Sequence, residues 1–394
     1  MSTIATAGRE AVAGVFDFDA LLHDEARQWQ QKARDFAESR IAPHIEEDFE
    51  NKHFRRELIA ELGEAGFLGM HIEGYGCAGA SATAYGAVCM ELEAIDSGWR
   101  TFVSVQGSLA MSAIAKYGSE EQKQQWLPEM AAGRAVGCFA LTEPAGGSDP
   151  AGMTTTAVRD GDGWVLNGAK RWIGLATLAD VAVVWAKSDE GILGFAVPTA
   201  TEGFEARAID GKLSMRASVQ CDIDLTNVRV PESARLPGAR GLSAPFSCLN
   251  EARYGIVWGV VGVARTCLEV AVERSRTREV FGAPIGRFQL TQAKLADMLL
   301  EYEKAALLSL HLGAQKDAGT LNRSQISVGK LNNVRSAIGV AHEARTILGG
   351  DGITSEFPVM RHIANLESVR TYEGTDEVHA LVLGRDLTGE AAFS

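Results

Sequence analysis

The sequence predicts an α+β chain in three consecutive blocks: helices, then strands, then helices. Three observations predict it. Apolar residues recur at three-to-four spacing from Leu21 to about Gly133. From about Ala135 to Pro237 that period gives way to short segments rich in β-branched and aromatic residues, separated by Gly, Asp or Pro. From Leu249 onward the helical period returns in long, mostly apolar runs. A chain of 394 residues is too long for one simple core and supports two or three domains. The blocks place them at 1–135, 136–240 and 241–394.

In the first block, "DEARQWQQKARDFAESRIAPHIEEDFE" has a helical stripe that ends near Pro43. "RRELIAELGEAGF" repeats the spacing and stops at Gly66. "TAYGAVCMELEAIDSG" and "SLAMSAIAKYG" read as two apolar helices. "SEEQKQQWLPEMAAG" starts on Ser119 as an N-cap, with acidic residues in its first turn. The second block holds "GWVLNGAKRWIG", with a turn signal at Asn167-Gly168, then "DVAVVWAK", "GILGFAVP", "FEARAI" and "QCDIDLTNVRVP". Such strands suit a small antiparallel barrel or sandwich. In the third, "EARYGIVWGVVGVARTCLEVAVERSRTR", "LTQAKLADMLLEYEKAALLSLHLGAQKDAG" and "SVGKLNNVRSAIGVAHEARTILGG" carry broad apolar faces. They fit a four-helix-bundle type of domain whose extra apolar surface is covered by oligomerisation.

Composition narrows the function. The net charge of −13 argues against nonspecific nucleic-acid binding, so an anionic ligand needs a local arginine or a main-chain site. The six cysteines show no CxxC pairing or Cys/His grouping, which favours free thiols over a metal centre or a disulfide frame. No run of about 18 apolar residues is free of charge, so no membrane span is expected. The N-terminal "MSTIATAGREAVAGVFDFDALL" lacks the form of a secretory signal, and a cytoplasmic protein is expected.

Five segments could carry chemistry. "CFALTEPAGGSDPAGM" places Pro144, Gly146, Gly147 and Pro150 in an irregular loop beside the hydroxyls of Thr142 and Ser148. It reads as a cofactor or phosphate cradle, or as an ordinary Gly/Pro loop. Trp172 in "KRWIG" reads as core or as a cofactor contact. "RTREVFGAPIGRFQLTQ" reads as a pyrophosphate clamp or a solvated helix end. "ILGGDGI" reads as a helix C-cap and turn. In "VRTYEGTDEVHALVLGRDLTG", Thr375 is an N-cap and Glu373 lies just outside the helix it starts.

In this order and at these spacings, the segments resemble the flavin-dependent acyl-CoA dehydrogenases, and within them the glutaryl-CoA dehydrogenases. "YGCAGASATAYG", "AIDSGWRTFVSVQ", "YGSEEQKQQWLP", "GCFALTEP", "GSDP", "CLNEARYGIVWG", "QAKLADML", "LGGDGI" and "RTYEGTDEVHALVLGR" carry the resemblance from about Leu21 to Phe393. It implies an acyl-CoA substrate, FAD as cofactor, and an oligomer, usually a tetramer built as a dimer of dimers. It makes Glu373 the base that removes the α-proton of the thioester, with Gly374 providing the turn. A base position used by some relatives falls on Ala252, which cannot act. On the substrate side, Arg100 matches the arginine that binds the distal carboxylate of glutaryl-CoA. Glu93 and Tyr372 match residues of the decarboxylating enzymes, Asn250 and Arg253 lie in the motif beside the base, and Ser148 matches a residue near the flavin and CoA pyrophosphates. FAD would be held by Phe139, Leu141, Thr142 and Ser148 on one side and by Trp172, Ile173 and Gly174 on the other. Arg278, Phe281, Gln289, Gly349 and Gly350 resemble an arm that reaches the FAD of a neighbouring subunit. Thr375 and Glu377 resemble adenosine contacts.

The sequence departs from the family pattern twice. After Trp172-Ile173 the family has a hydroxyl residue and an asparagine, where this chain has Gly174 and Leu175. An open wall at the flavin could admit oxygen, so molecular oxygen stands beside an electron-transfer flavoprotein as the expected acceptor. An oxidase or oxygenase acting on a CoA thioester stands beside the dehydrogenase. The second departure is Thr101-Phe102, where smaller residues are usual, and Phe102 is expected to reshape the acyl pocket.

Overall fold

The computed structural model describes residues 4–392. The first block is helical: α1 (Ile4–Ala13), α2 (Asp24–Phe36), α3 (Ile45–Asn51), α4 (Leu58–Glu64), α5 (Ala82–Ile95), α6 (Ser97–Val103), α7 (Ser112–Tyr117) and α8 (Glu120–Ala131). Local signals set the boundaries. Ser119 caps α8 in a capping box with Gln122. Between α6 and α7 the chain stays helical through a wide π-type stretch, Ser104–Met111, so α6 to α7 is one continuous rod.

The middle block forms β1 (Gly137–Ala140), β2 (Thr156–Asp160), β3 (Gly163–Gly174), β4 (Val181–Ser188), β5 (Gly191–Pro198), β6 (Phe204–Ala208) and β7 (Gln220–Pro231). They make one seven-stranded sheet in the order β1-β4-β2-β3-β7-β6, with β5 also paired to β4. The sheet is mixed rather than antiparallel, because β1 runs parallel to β4 with Gly137 opposite Val181. The hairpin β2–β3 supplies the crossover that a parallel pair needs. Asn167-Gly168 is not the expected turn. The β2–β3 turn lies at Gly161-Asp162, and Gly168 sits at a register shift inside β3. Its φ of 149° and its approach to Thr155, 2.5 Å from where a Cβ would stand, require glycine.

The last block holds α9 (Ser243–Thr277), the short hairpin β8 (Glu279–Val280) and β9 (Ala283–Pro284), α10 (Gln289–Asp317), α11 (Arg323–Leu348), α12 (Val359–Val369) and α13 (Asp376–Thr388). By length and composition α9 could cross a membrane, but 83% of its apolar stretch is buried inside the protein. It packs against α11 on one side and α5 on another. The two helical blocks therefore share one core, and α5 is buried on nearly every face. Glycines allow the contact: a Cβ at Gly262 would stand 1.9 Å from the Met90 carbonyl, and one at Gly259 would stand 1.9 Å from Glu93 Oε2. A buried ion network ties the same helices. Glu91 of α5 receives both Nη atoms of Arg265 of α9 at 2.8 and 2.7 Å, and Arg34 of α2 at 3.0 Å.

Candidate active site

The site starts at a helix break. Asp96 ends α5 and caps α6, accepting from Gly98 N at 2.7 Å. Arg361 and Asn365 of α12 hold the same carboxylate at 3.2 and 2.8 Å. The break turns α6 back so that Arg100 faces Glu93 of α5. Both are fully buried at 0% exposure, with Nε 2.6 Å from Oε2. Arg100 Nη2 donates to the Tyr372 hydroxyl, which also lies 3.2 Å from Thr101 Oγ1. Among the described residues, Arg100 Nη1 has no hydrogen-bond partner although it is buried. Burial raises the Glu93 carboxyl above its usual range despite the arginine beside it.

Glu373 follows Tyr372 in the turn between α12 and α13, in the left-handed region at φ 55°. Its Oε2 is buried with no partner among the described residues. Burial raises its pKa, and Arg100, Arg253 and Lys330 pull it back. That combination suits a carboxylate acting as a general base, which needs a pKa nearer the working pH than an exposed glutamate has. Thr375 then caps α13 through its side chain, accepting from Val378 N at 3.3 Å.

The main chain of this turn is held by two cations. Arg253 of α9 donates from Nε to the Glu373 carbonyl at 2.7 Å, and its Nη1 lies 3.2 Å from Asn250 Oδ1. Lys330 of α11, 1% exposed, donates to the carbonyls of Tyr372 and Gly374 at 2.8 and 2.6 Å. Burial lowers the Lys330 ammonium to about 7. Lys330 was not among the residues the sequence suggested. The available signal was a lysine on the buried stripe of α11, in line with Ile326, Asn333, Val334 and Ala337.

A second wall lies where β1 runs into the loop at Thr142–Asp149. The Thr142 carbonyl accepts from Arg171 N at 2.9 Å, which sets this loop beside Trp172. Underneath, Glu143 accepts from Thr154 N, Thr155 N and Lys170 Nζ at 2.6, 2.9 and 2.9 Å, and Lys170 also holds the Leu141 carbonyl at 3.1 Å. Burial opposes ionisation of Glu143, but these donors hold its carboxyl down at about 2. Trp172 stands in a register shift of β3 at φ 63°, 52% exposed, with the Arg171 guanidinium 5.0 Å from its ring centroid. A bare indole, the Thr142 and Ser148 hydroxyls and an open Gly146-Gly147 main chain suit a planar ring system joined to phosphates. Phe139, Leu141 and Ile173 are buried side chains, and Phe139 packs on Trp185, so what they offer a cofactor comes chiefly from the main chain.

The two walls meet at one point. A Cβ on Gly174 would lie 3.5 Å from a methyl of Val105, which is on the same rod as Arg100 and Thr101. Two expectations need correction here. Leu175 does not line this wall: it is buried, and its N–H donates to the Val219 carbonyl at 2.8 Å. Phe102 does not reshape the pocket either. It is 1% exposed and packs on Phe54 and Trp99, because α6 turns that face into the core.

The remaining candidates lie elsewhere. Arg278 and Phe281 are on the β8–β9 hairpin, with Phe281 97% exposed, and exposed Gln289 opens α10. Exposed Gly349 and Gly350 follow α11, close to this hairpin, because Asp351 pairs with Arg274 near the end of α9. About 28 Å of helix separates this turn from Lys330. Within one chain these residues do not join the Glu373 cleft. Glu377 is exposed on the first turn of α13.

Profiles of the acyl-CoA dehydrogenase N-terminal, middle and C-terminal domains match residues 23–134, 138–228 and 239–388. The chain belongs to the acyl-CoA dehydrogenase family. This acyl-CoA dehydrogenase is 35% identical over 374 residues to the mitochondrial short-chain specific acyl-CoA dehydrogenase of Bos taurus, covering 93% of this chain and 90% of the relative. A glutaryl-CoA dehydrogenase structure from Mycobacterium smegmatis superposes with a TM-score of 0.96 at 59% identity, covering 97% of this chain and 99% of the other. A second from the same organism, in complex with FADH2, gives 0.96 at 57% identity, covering 98% and 100%. FAD is the cofactor of this acyl-CoA dehydrogenase, and the wall around Trp172 and Thr142 fits it.

Proposed function

We propose that this acyl-CoA dehydrogenase oxidises glutaryl-CoA and decarboxylates the product to crotonyl-CoA, with Glu373 as the base. The observation that carries the substrate choice is Arg100, a buried guanidinium with Nη1 unpartnered among the described residues. Glu93 and Tyr372 account for Nε and Nη2, and a straight-chain acyl group would leave buried Nη1 unpaired, whereas a distal carboxylate gives it a partner. Likeness to the two Mycobacterium smegmatis enzymes supports the same reading.

Glu373 takes the α-proton, which the thioester acidifies. When bound, FAD accepts the β-hydrogen as hydride. Arg100 fixes the far end of the acyl chain, so the α-carbon sits at a set depth relative to Glu373. Glu93 shares the same guanidinium and weakens its hold on the substrate carboxylate. That permits carbon dioxide to leave once the double bond is in place, its bonding pair passing into the thioester as a dienolate, and the proton that Glu373 took returns to the γ-carbon to give crotonyl-CoA. Leu300 and Leu307 of α10, Val328 of α11 and Leu381 of α13 are exposed apolar side chains suited to burial against a second copy. A tetramer would bring the hairpin arm and the Gly349-Gly350 turn to a neighbour's FAD. An electron-transfer flavoprotein is the proposed acceptor.

Anaerobic mixing of the FAD-loaded enzyme with glutaryl-CoA is expected to bleach the flavin and release crotonyl-CoA and carbon dioxide. Glu373→Gln is expected to bind the thioester and leave the flavin oxidised. A wild-type flavin that stays oxidised with glutaryl-CoA but bleaches with a monocarboxylic thioester would remove the substrate assignment. Bleaching by Glu373→Gln at the wild-type rate would remove the base.

A further inference from the structure

We propose that Lys330 is a positioning residue for the catalytic base, clipping the two carbonyls that flank Glu373 so that its side chain and its N–H are both presented to the thioester. The inference rests on Glu373 being the base and adds the device that aims it. Three consecutive carbonyls in the turn are held by cations from two helices. Lys330 takes those of Tyr372 and Gly374, and Arg253 takes that of Glu373 between them.

Peptide planarity gives the clip its consequence. A trans peptide points its C=O and the next N–H in opposite directions. Fixing the Tyr372 carbonyl on Lys330 therefore turns the Glu373 N–H away from α11. Fixing the Glu373 carbonyl on Arg253 does the same for the Gly374 N–H relative to α9. The left-handed φ of 55° at Glu373 is uncommon outside glycine and needs support from its surroundings. A buried ammonium with two carbonyl partners supplies that support.

The ammonium also acts through space. Glu373 faces Arg100 from α6, Arg253 from α9 and the neighbouring Tyr372 as well as Lys330, while Asp376 and His379 of α13 and Glu93 of α5 lie around those groups in turn. Lys330 loses its charge above about 7. Its electrostatic effect on the base is therefore confined to the acid side, whereas a neutral amine still clips the carbonyls above that pH.

Two variants separate the effects. Lys330→Met removes both the hydrogen bonds and the charge, and Lys330→Gln removes the charge but keeps donors. The measurement is the rate of flavin reduction by acyl-CoA in single turnovers against pH, with the FAD-loaded enzyme and thioester affinity recorded beside it. Lys330→Met is expected to reduce flavin about 10- to 100-fold more slowly at the plateau, the loss expected of a misplaced catalytic group. Its thioester affinity is expected to change by less than about threefold, since the loss falls on the transition state. In both variants the acid limb should move to higher pH, because a cation that lowers the base's pKa is gone. Lys330→Gln should keep most of the plateau rate. A Lys330→Met enzyme that retains FAD and shows the wild-type rate and acid limb would overturn the inference. So would a loss confined to FAD retention or thermal stability. Glu373→Gln, measured alongside, keeps the two claims apart: if it is inert while Lys330→Met is normal, only the clip falls.

Discussion

Arg100→Met tests the substrate assignment most directly. Arg100 contributes to Glu93, to Tyr372 and, in the proposed complex, to the distal carboxylate. A hydrogen bond to a charged group contributes about 1.5–3 kcal/mol, which is about 10- to 150-fold in a rate or binding constant. Two side effects must be kept out of that figure. Removing the guanidinium strands buried Glu93, and breaking a buried pair costs about 3–5 kcal/mol of stability. The double variant Arg100→Met with Glu93→Gln limits that cost. Arg100 is also the first of the charges holding Glu373 down, so its loss moves the acid limb up for every substrate, and rates must be compared on the plateau. The assay is the single-turnover rate of flavin reduction divided by the dissociation constant, for glutaryl-CoA and for valeryl-CoA, which lacks the carboxylate. The glutaryl value should fall about 10- to 150-fold further than the valeryl value. Arg100→Lys should lie between, since an ammonium keeps the charge but not the planar fork. Equal losses for both thioesters would refute the argument, because Arg100 would then act on the fold or the base.

Two further outcomes follow from other parts of the structure. Burial opposes ionisation of Glu91, yet Arg265 and Arg34 hold its carboxyl down at about 2. A depressed folded pKa gives stability that is present above the unfolded value near 4.5 and is lost as pH falls toward 2. This amounts to about 3 kcal/mol. Glu91→Gln should lower the urea midpoint at neutral pH and flatten the acid limb of the stability profile, and an unchanged limb would remove Glu91 from that role. Gly174→Ser adds a hydroxyl where a Cβ has ordinary contact with Val105, 3.5 Å away, at a backbone not confined to glycine. The variant should fold, keep its FAD and show slower reoxidation of reduced flavin in air, measured by stopped flow.

What could be read from the sequence was what is decided locally. Ser119 and Thr375 cap the helices the sequence assigned to them, because a cap acts within one turn. The three-block order also appears as expected, because hydrophobic period changes at each boundary. Strand direction was not readable. Nothing near Gly137 specifies that it lies beside Val181 in parallel, since pairing is set by the whole sheet. Asn167-Gly168 has the composition of a turn, but Thr155 and β7 make it a bulge. Phe102 and Leu175 were assigned to the cleft by their place beside motif residues, and packing turned both inward. Lys330 was missed for the converse reason. Its role is fixed by the carbonyls of Tyr372 and Gly374, far along the chain.

The shared core of α5 and α9 sets an order of events during synthesis. α5 is complete at Ile95, but the helix that buries much of it begins at Ser243. A ribosome adding about 5–20 residues per second needs roughly 7 to 30 s to cover that distance. Throughout that interval α5 can pack on α2, which is made before it, but the face that α9 covers has no partner, while the β block between is free to fold. The nascent chain thus spends that period with one apolar face of α5 uncovered, and holding chaperones would be expected to bind there until α9 emerges.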